Sequence, residues 1–114
     1  MIRKHIIFTG WVQGVGFRWR ARHAAEMYGC TGWVRNEWDG SVTMEIQGEE
    51  EAIDRVIMSI EAARYVRIED MDCREMPVDP EEYSFRTRKA SDQEGVNDEE
   101  AFFCNILWNH ILLG

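Results

Sequence analysis

Three glycines separate an apolar alternation from a helical repeat: Gly10 to Arg18 reads G-W-V-Q-G-V-G-F-R. Before this stretch, Arg3 to Val12 has strand character, with Ile6 and Phe8 on one face and Ile7 on the other. After it, Phe17, Ala21, Ala24, Ala25 and Tyr28 recur at helical spacing along one side, and Gly29 is placed to end that helix. A strand that turns through glycine into a helix presents a row of backbone N–H groups. The first N–H groups of a helix have no partner within it, and the helix dipole favours negative charge there. Arg18 stands at the rim of the turn, with a guanidinium fork suited to phosphate oxygens. The segment therefore predicts a small anion-binding cradle.

The rest of the chain sets the architecture around it. Gly32 to Asn36 is a second strand, and Asp39-Gly40 signals a hairpin, since glycine readily takes the positive φ such turns need. A third strand follows, with Val42, Met44 and Ile46 alternating against Thr43, Glu45 and Gln47. Glu49, Glu50 and Glu51 favour the N-terminus of a second helix, whose core face is Ala52, Ile53, Val56, Ile57 and Ile60. Tyr65 to Met76 is a fourth strand with Val66 and Ile68 inward; its pattern breaks near Asp70, where a bulge is expected. Pro77 and Pro80 mark a loop, and Tyr83, Phe85 and Thr87 alternate as a short last strand. The order is βαββαβ with an extra C-terminal strand. It predicts an α+β ferredoxin-like sandwich, with two helices on one face of a mostly antiparallel sheet.

Charge narrows the partners. The 114 residues carry a net charge of -8. Residues 1–88 hold 12 basic and 16 acidic groups; residues 89–114 hold 1 basic and 5 acidic. An acidic chain is a poor generic binder of nucleic acid, whose affinity rests on neutralising phosphates. Positive charge is local, at Arg18, Arg20 and Arg22, and suits a small anion better than a polymer. Cys30, Cys73 and Cys104 form neither a disulfide framework nor a zinc pattern, so free thiols in a reducing cytoplasm are expected. No signal-peptide pattern opens the chain, and no apolar run approaches the roughly 20 residues that span a bilayer. The chain is expected to divide into a folded unit at 1–88 and a tail at 89–114: a polar linker, then an apolar helix-like stretch. That tail could dock on the domain, pair with a copy of itself or bind elsewhere; otherwise a monomer is expected.

The glycine segment, the later G-W-V-R-N at Gly32 to Asn36 and D-G-S-V-T-M-E-I-Q-G at Asp39 to Gly48 together resemble the acylphosphatases, over about residues 3 to 88. The resemblance implies hydrolysis of the mixed anhydride of a small-molecule acyl phosphate, with no cofactor, no metal and no covalent enzyme intermediate. It implies that the phosphoryl group, or inorganic phosphate or sulfate, is held by Arg18 and the amides of Gln13, Gly14, Val15, Gly16, Phe17 and Arg18. It also implies that the side-chain amide of Asn36 orients the attacking water. Gly14 carries more weight than Gly16, a position that varies in the family.

Other residues receive plainer expectations. Trp11, Phe17, Trp19 and Trp33 are expected to pack in the core or at its rim, and Trp38 to lie exposed in the hairpin. Arg20, Arg22 and Arg35 are expected as surface charges, with Arg35 placed to steer anions toward Asn36. His5, His23 and His110 are expected in packing or surface roles, and Cys30 as a buried small hydrophobe. The rival expectation is a non-catalytic anion-binding or partner-docking module. It draws on the tail, foreign to small acylphosphatases, and on the basic last strand at Arg86 and Arg88.

Overall fold

The computed structural model describes residues 1–90. Seven elements follow one another: β1 (Ile2–Trp11), α1 (Phe17–Met27), β2 (Thr31–Asn36), β3 (Val42–Gly48), α2 (Glu50–Glu61), β4 (Arg67–Met76) and β5 (Phe85–Arg88). The strands form one sheet in the order β4-β1-β3-β2-β5. All pairings are antiparallel except β2 with β5. This is the expected ferredoxin-like α+β sandwich with its extra strand. Residues 91–114 of the expected tail lie outside the described residues.

The sheet's alternation assigns its two faces. Ile6 and Phe8 from β1, Val34 from β2, Val42, Met44 and Ile46 from β3, and Phe85 from β5 are buried toward the helices. Phe17, Ala21, Ala24 and Ala25 of α1 and Ile53, Val56, Ile57 and Ile60 of α2 cover them. Each large aliphatic side chain so buried contributes about 1.5–3 kcal/mol. The small alanines let α1 lie close to the sheet. It ends as expected: Gly29 takes φ 71°, and the Cys30 N–H donates to Ala25 O at 2.8 Å.

Glycine is obligatory where strands crowd. At Gly32, φ is +143° and an added Cβ would lie 1.9 Å from the Glu45 carbonyl oxygen. At Gly10, it would lie 2.4 Å from Arg67 O. Gly10 pairs with Ile68 while Thr9 pairs with Asp70, so Glu69 is the extra residue of a bulge, where the broken pattern near Asp70 places one.

Three expectations need correction. Tyr83 precedes β5 and is exposed, because the strand starts only at Phe85. Trp11 is 71% exposed, beyond the bulge at the end of β1. Trp19 is 61% exposed because it lies about 200° around α1 from Phe17, on the outer side; its ring stacks on His23 at 3.9 Å. Phe17 and Trp33 do pack, and Trp38 is exposed as expected.

Candidate functional site

Topology brings two separate motifs to one end of the sheet. Both β1 and β2 run antiparallel to β3, which lies between them, so their C-terminal ends point the same way. The register puts Phe8 and Asn36 opposite the same residue, Val42. The loop after β1 therefore lies just past the row that ends in Asn36. Above that row, the Phe17 ring meets Phe8 edge-on at 4.9 Å, fixing where α1 begins. Arg18 is the next residue, in the first turn of α1.

The loop has the conformation its glycines allow. Gly14 takes φ 73° and Gly16 takes φ 80°, both left-handed. Gly16 is the N-cap of α1, no side chain caps it, and the first turn holds no acidic residue. The first helical bond runs from Arg20 N–H to Gly16 O at 3.0 Å, which leaves Phe17, Arg18 and Trp19 N–H without a carbonyl of their own helix. A Cβ on Gly14 or Gly16 would meet nothing within 4 Å, so backbone conformation rather than space selects glycine there. Arg18 is half-buried, and no carboxylate among the described residues pairs with it.

Asn36 has an unusual environment for an amide. Its Oδ1 is buried with no hydrogen-bond partner. Buried acceptors are nearly always satisfied, and leaving one unsatisfied costs about 1–3 kcal/mol. An orphan acceptor at the end of β2 is equipped to take a hydrogen bond from something that enters, such as an O–H of water.

Gln13 ties loop and hairpin together. Its Nε2 donates to Glu37 O at 2.7 Å and to Ser41 O at 2.8 Å. Ser41 O also accepts the Glu37 N–H at 2.9 Å, which closes the hairpin. Asp39 Oδ1 holds the turn from inside by accepting Ser41 N–H at 2.9 Å and Ser41 Oγ–H at 2.6 Å, and Gly40 takes φ 92°. The role of the Gln13 side chain was missed in the sequence, where only its backbone amide was considered.

Arg35 does not sit where expected. Alternation turns it to the open face of the sheet, away from Asn36. There its Nε donates to Glu37 Oε1 at 2.6 Å and its guanidinium lies 4.7 Å from the Trp33 ring centroid. Arg88 covers the same ring at 5.0 Å. That open face holds a cavity of about 440 Å³, lined in part by Arg3, His5, Trp33, Glu45 and Glu82. Arg3 is its buried centre. It donates to Glu82 at 2.6 Å and Glu45 at 3.0 Å. Burial pulls the Arg3 pKa down, but the bonds to Glu82 and Glu45 outweigh it and hold the pKa above the usual value. His5 Nδ1 lies 2.8 Å from Glu45 Oε2. These groups are already paired to one another and lie on the face opposite the cradle.

Arg22 pairs with Glu26 at 3.1 Å on the exposed side of α1. Cys30 is buried, as expected, and burial pushes its thiol up to about 11. Among the described residues, no three His, Cys, Asp or Glu side chains are grouped to hold a metal, and no helix is long and apolar enough to cross a membrane.

The acylphosphatase family model matches residues 4–87. An acylphosphatase of Geobacillus thermodenitrificans is 42% identical over 87 residues, covering 75% of this chain and 93% of the relative. The crystal structure of acylphosphatase from Bacillus subtilis superposes with a TM-score of 0.71 at 28% identity, covering 77% of this chain and 99% of the other. Full-length HypF in its phosphate- and nucleotide-bound form gives a TM-score of 0.69 at 29% identity, covering 84% of this chain and 13% of that one.

Proposed function

The chain belongs to the acylphosphatase family and is an enzyme that hydrolyses acyl phosphates; on that premise, we propose that the loop amides with Arg18 hold the phosphoryl group and that Asn36 places the attacking water. The amides of Gln13 to Phe17, together with that of Arg18, surround the phosphoryl oxygens. The Arg18 guanidinium adds a charged, forked donor. Asn36 Oδ1 accepts one O–H of a water, whose lone pair then faces phosphorus. The water oxygen bonds to phosphorus, the bond from phosphorus to the acyl oxygen breaks, and a carboxylate and inorganic phosphate leave. The water's proton passes to the phosphate product, since neither motif supplies a titratable base.

Chemistry of this kind needs little from the protein beyond position and charge. An acyl phosphate is already activated, so alignment and electrostatic stabilisation supply most of the catalysis. The observation that favours this reading most is the buried, partnerless Oδ1 of Asn36, at the same sheet end as the glycine loop. We take residues 1–88 as the catalytic unit and 89–114 as accessory. The net charge of -8 disfavours nucleic acid as a partner.

Phosphate release from acetyl phosphate tests the reading, in the full chain, in a chain truncated after Arg88, and in Arg18→Ala. Activity in the first two, with near-complete loss of turnover and of inhibition by phosphate in the third, is expected. The rate should vary little with pH near neutrality. Near-normal turnover in Arg18→Ala refutes the role given to Arg18. Inactivity of both intact and truncated chains leaves the anion-binding module as the better account.

A further inference from the structure

We infer that the Gln13 side chain is a positioning residue for the hydrolysis: it sets where Asn36 stands relative to the phosphate loop. The inference rests on the water-orienting reading of Asn36 and extends it to a side chain that touches neither water nor substrate.

A primary amide carries two N–H donors on one nitrogen. In Gln13 that nitrogen lies within bonding distance of two carbonyls, those of Glu37 and Ser41, at 2.7 and 2.8 Å. They belong to residues 24 and 28 positions later, and they bracket the hairpin where it closes. Glu37 directly follows Asn36. The Asn36 Oδ1 has no hydrogen-bond partner among the described residues, so no bond on that atom fixes its height above the loop. The segments to be aligned each contain left-handed glycines: Gly14 and Gly16 on one side, Gly40 on the other. The Gln13 amide is the polar bridge across them.

The bridge divides the site's two tasks. The loop amides and Arg18 lie on the same stretch of chain as Gln13, so they can grip phosphate without the hairpin. Water placement needs loop and hairpin in register. Losing the bridge should therefore leave phosphate binding intact and slow the chemical step. A displacement of about 1 Å in such a site can cost on the order of 10²-fold in rate.

The test uses the full chain with acetyl phosphate as substrate and inorganic phosphate as competitive inhibitor. Four variants are compared: Gln13→Met, Gln13→Glu, Asn36→Ala, and Gln13→Met combined with Asn36→Ala. Gln13→Met should lower kcat roughly 10- to 100-fold while the phosphate inhibition constant stays within about twofold. With Asn36 already replaced, Gln13→Met should change kcat by less than about twofold, because nothing is left to position. Gln13→Glu turns acceptors toward two carbonyls. It should be impaired at neutral pH and recover as acid protonates the carboxyl and restores one donor. It carries the test should Gln13→Met not fold.

Three results overturn the inference while the role of Asn36 stands: Gln13→Met with wild-type kcat, a parallel loss of phosphate affinity and kcat, or independent multiplication of the two substitutions' effects. Wild-type kcat in Asn36→Ala overturns the role of Asn36 itself, and this inference with it.

Discussion

Asn36→Ala should uncouple activity from stability. In most buried positions, truncating a polar side chain breaks its hydrogen bonds and destabilises the fold. Here the Oδ1 is buried without a partner among the described residues. Truncation breaks no bond from Oδ1 to the protein and forfeits only the packing of the amide. The net change should fall within about 1 kcal/mol of zero, which for a domain of this size is a Tm shift of at most about 4–8 °C. The pairing of β2 with β3, in which Asn36 stands opposite Val42, rests on backbone bonds and survives. Catalysis should behave otherwise. Without its acceptor the water loses its aim, and kcat should fall on the order of 10²-fold, near 2.7 kcal/mol of barrier at about 1.36 per decade. Inhibition by inorganic phosphate should persist, since the loop and Arg18 are untouched. Thermal melts by circular dichroism and steady-state phosphate release measure both quantities on one preparation. A Tm drop beyond about 10 °C would show that Asn36 is chiefly structural, and a kcat within threefold of wild type would show that it places nothing.

Other expected outcomes concern the frame around the site. Gly32→Ala forces a Cβ to 1.9 Å from Glu45 O in a paired strand at positive φ. Urea denaturation should show a loss of about 3 kcal/mol or more, against about 1 kcal/mol for Gly29→Ala, where space is open. Arg3→Met leaves the Glu45 and Glu82 carboxylates beside an empty place. It should destabilise by roughly 3–5 kcal/mol, partly recovered by adding Glu82→Gln, with kcat unchanged while the chain is folded. Cys30 holds its proton more tightly folded than unfolded, its pKa moving from 9.0 to about 11. Stability should thus be full below about pH 9 and decline between about pH 9 and 11, a slope that Cys30→Ala lessens. At neutral pH, a thiol reagent should modify the exposed Cys73 readily and Cys30 only on unfolding.

Local pattern made most of this fold legible. The apolar alternation of Val42, Met44 and Ile46 and the stripe Ile53, Val56, Ile57 and Ile60 mark elements that fill one core. The break near Asp70 marks the bulge because a bulge is itself a local event. What escaped is what depends on pairing. That Asn36 stands at the loop's end of the sheet follows from two registers meeting at Val42, and no window of sequence contains both. The reach of Gln13 to Glu37 and Ser41 is hidden for the same reason. Arg35 misleads differently: being next to Asn36 in sequence suggests shared work, while strand pleating sends neighbours to opposite faces. Trp19 shows that a large aromatic is no guarantee of burial when the helical phase points it outward.

The bulged strand β4 has a bearing on how the molecule behaves in company. It closes one side of the described sheet, is ten residues long and leaves its outer backbone groups open to another strand. Arg67, Glu69, Asp70, Asp72, Arg74 and Glu75 load both its surfaces with ionised groups, and the bulge adds local twist. A neighbouring molecule seeking to extend the sheet would have to dehydrate that fence and fit a warped template. Concentrated solutions near neutral pH should therefore stay free of fibrils. Acid strong enough to protonate the four carboxylates of the fence should be the condition that lets molecules stitch together.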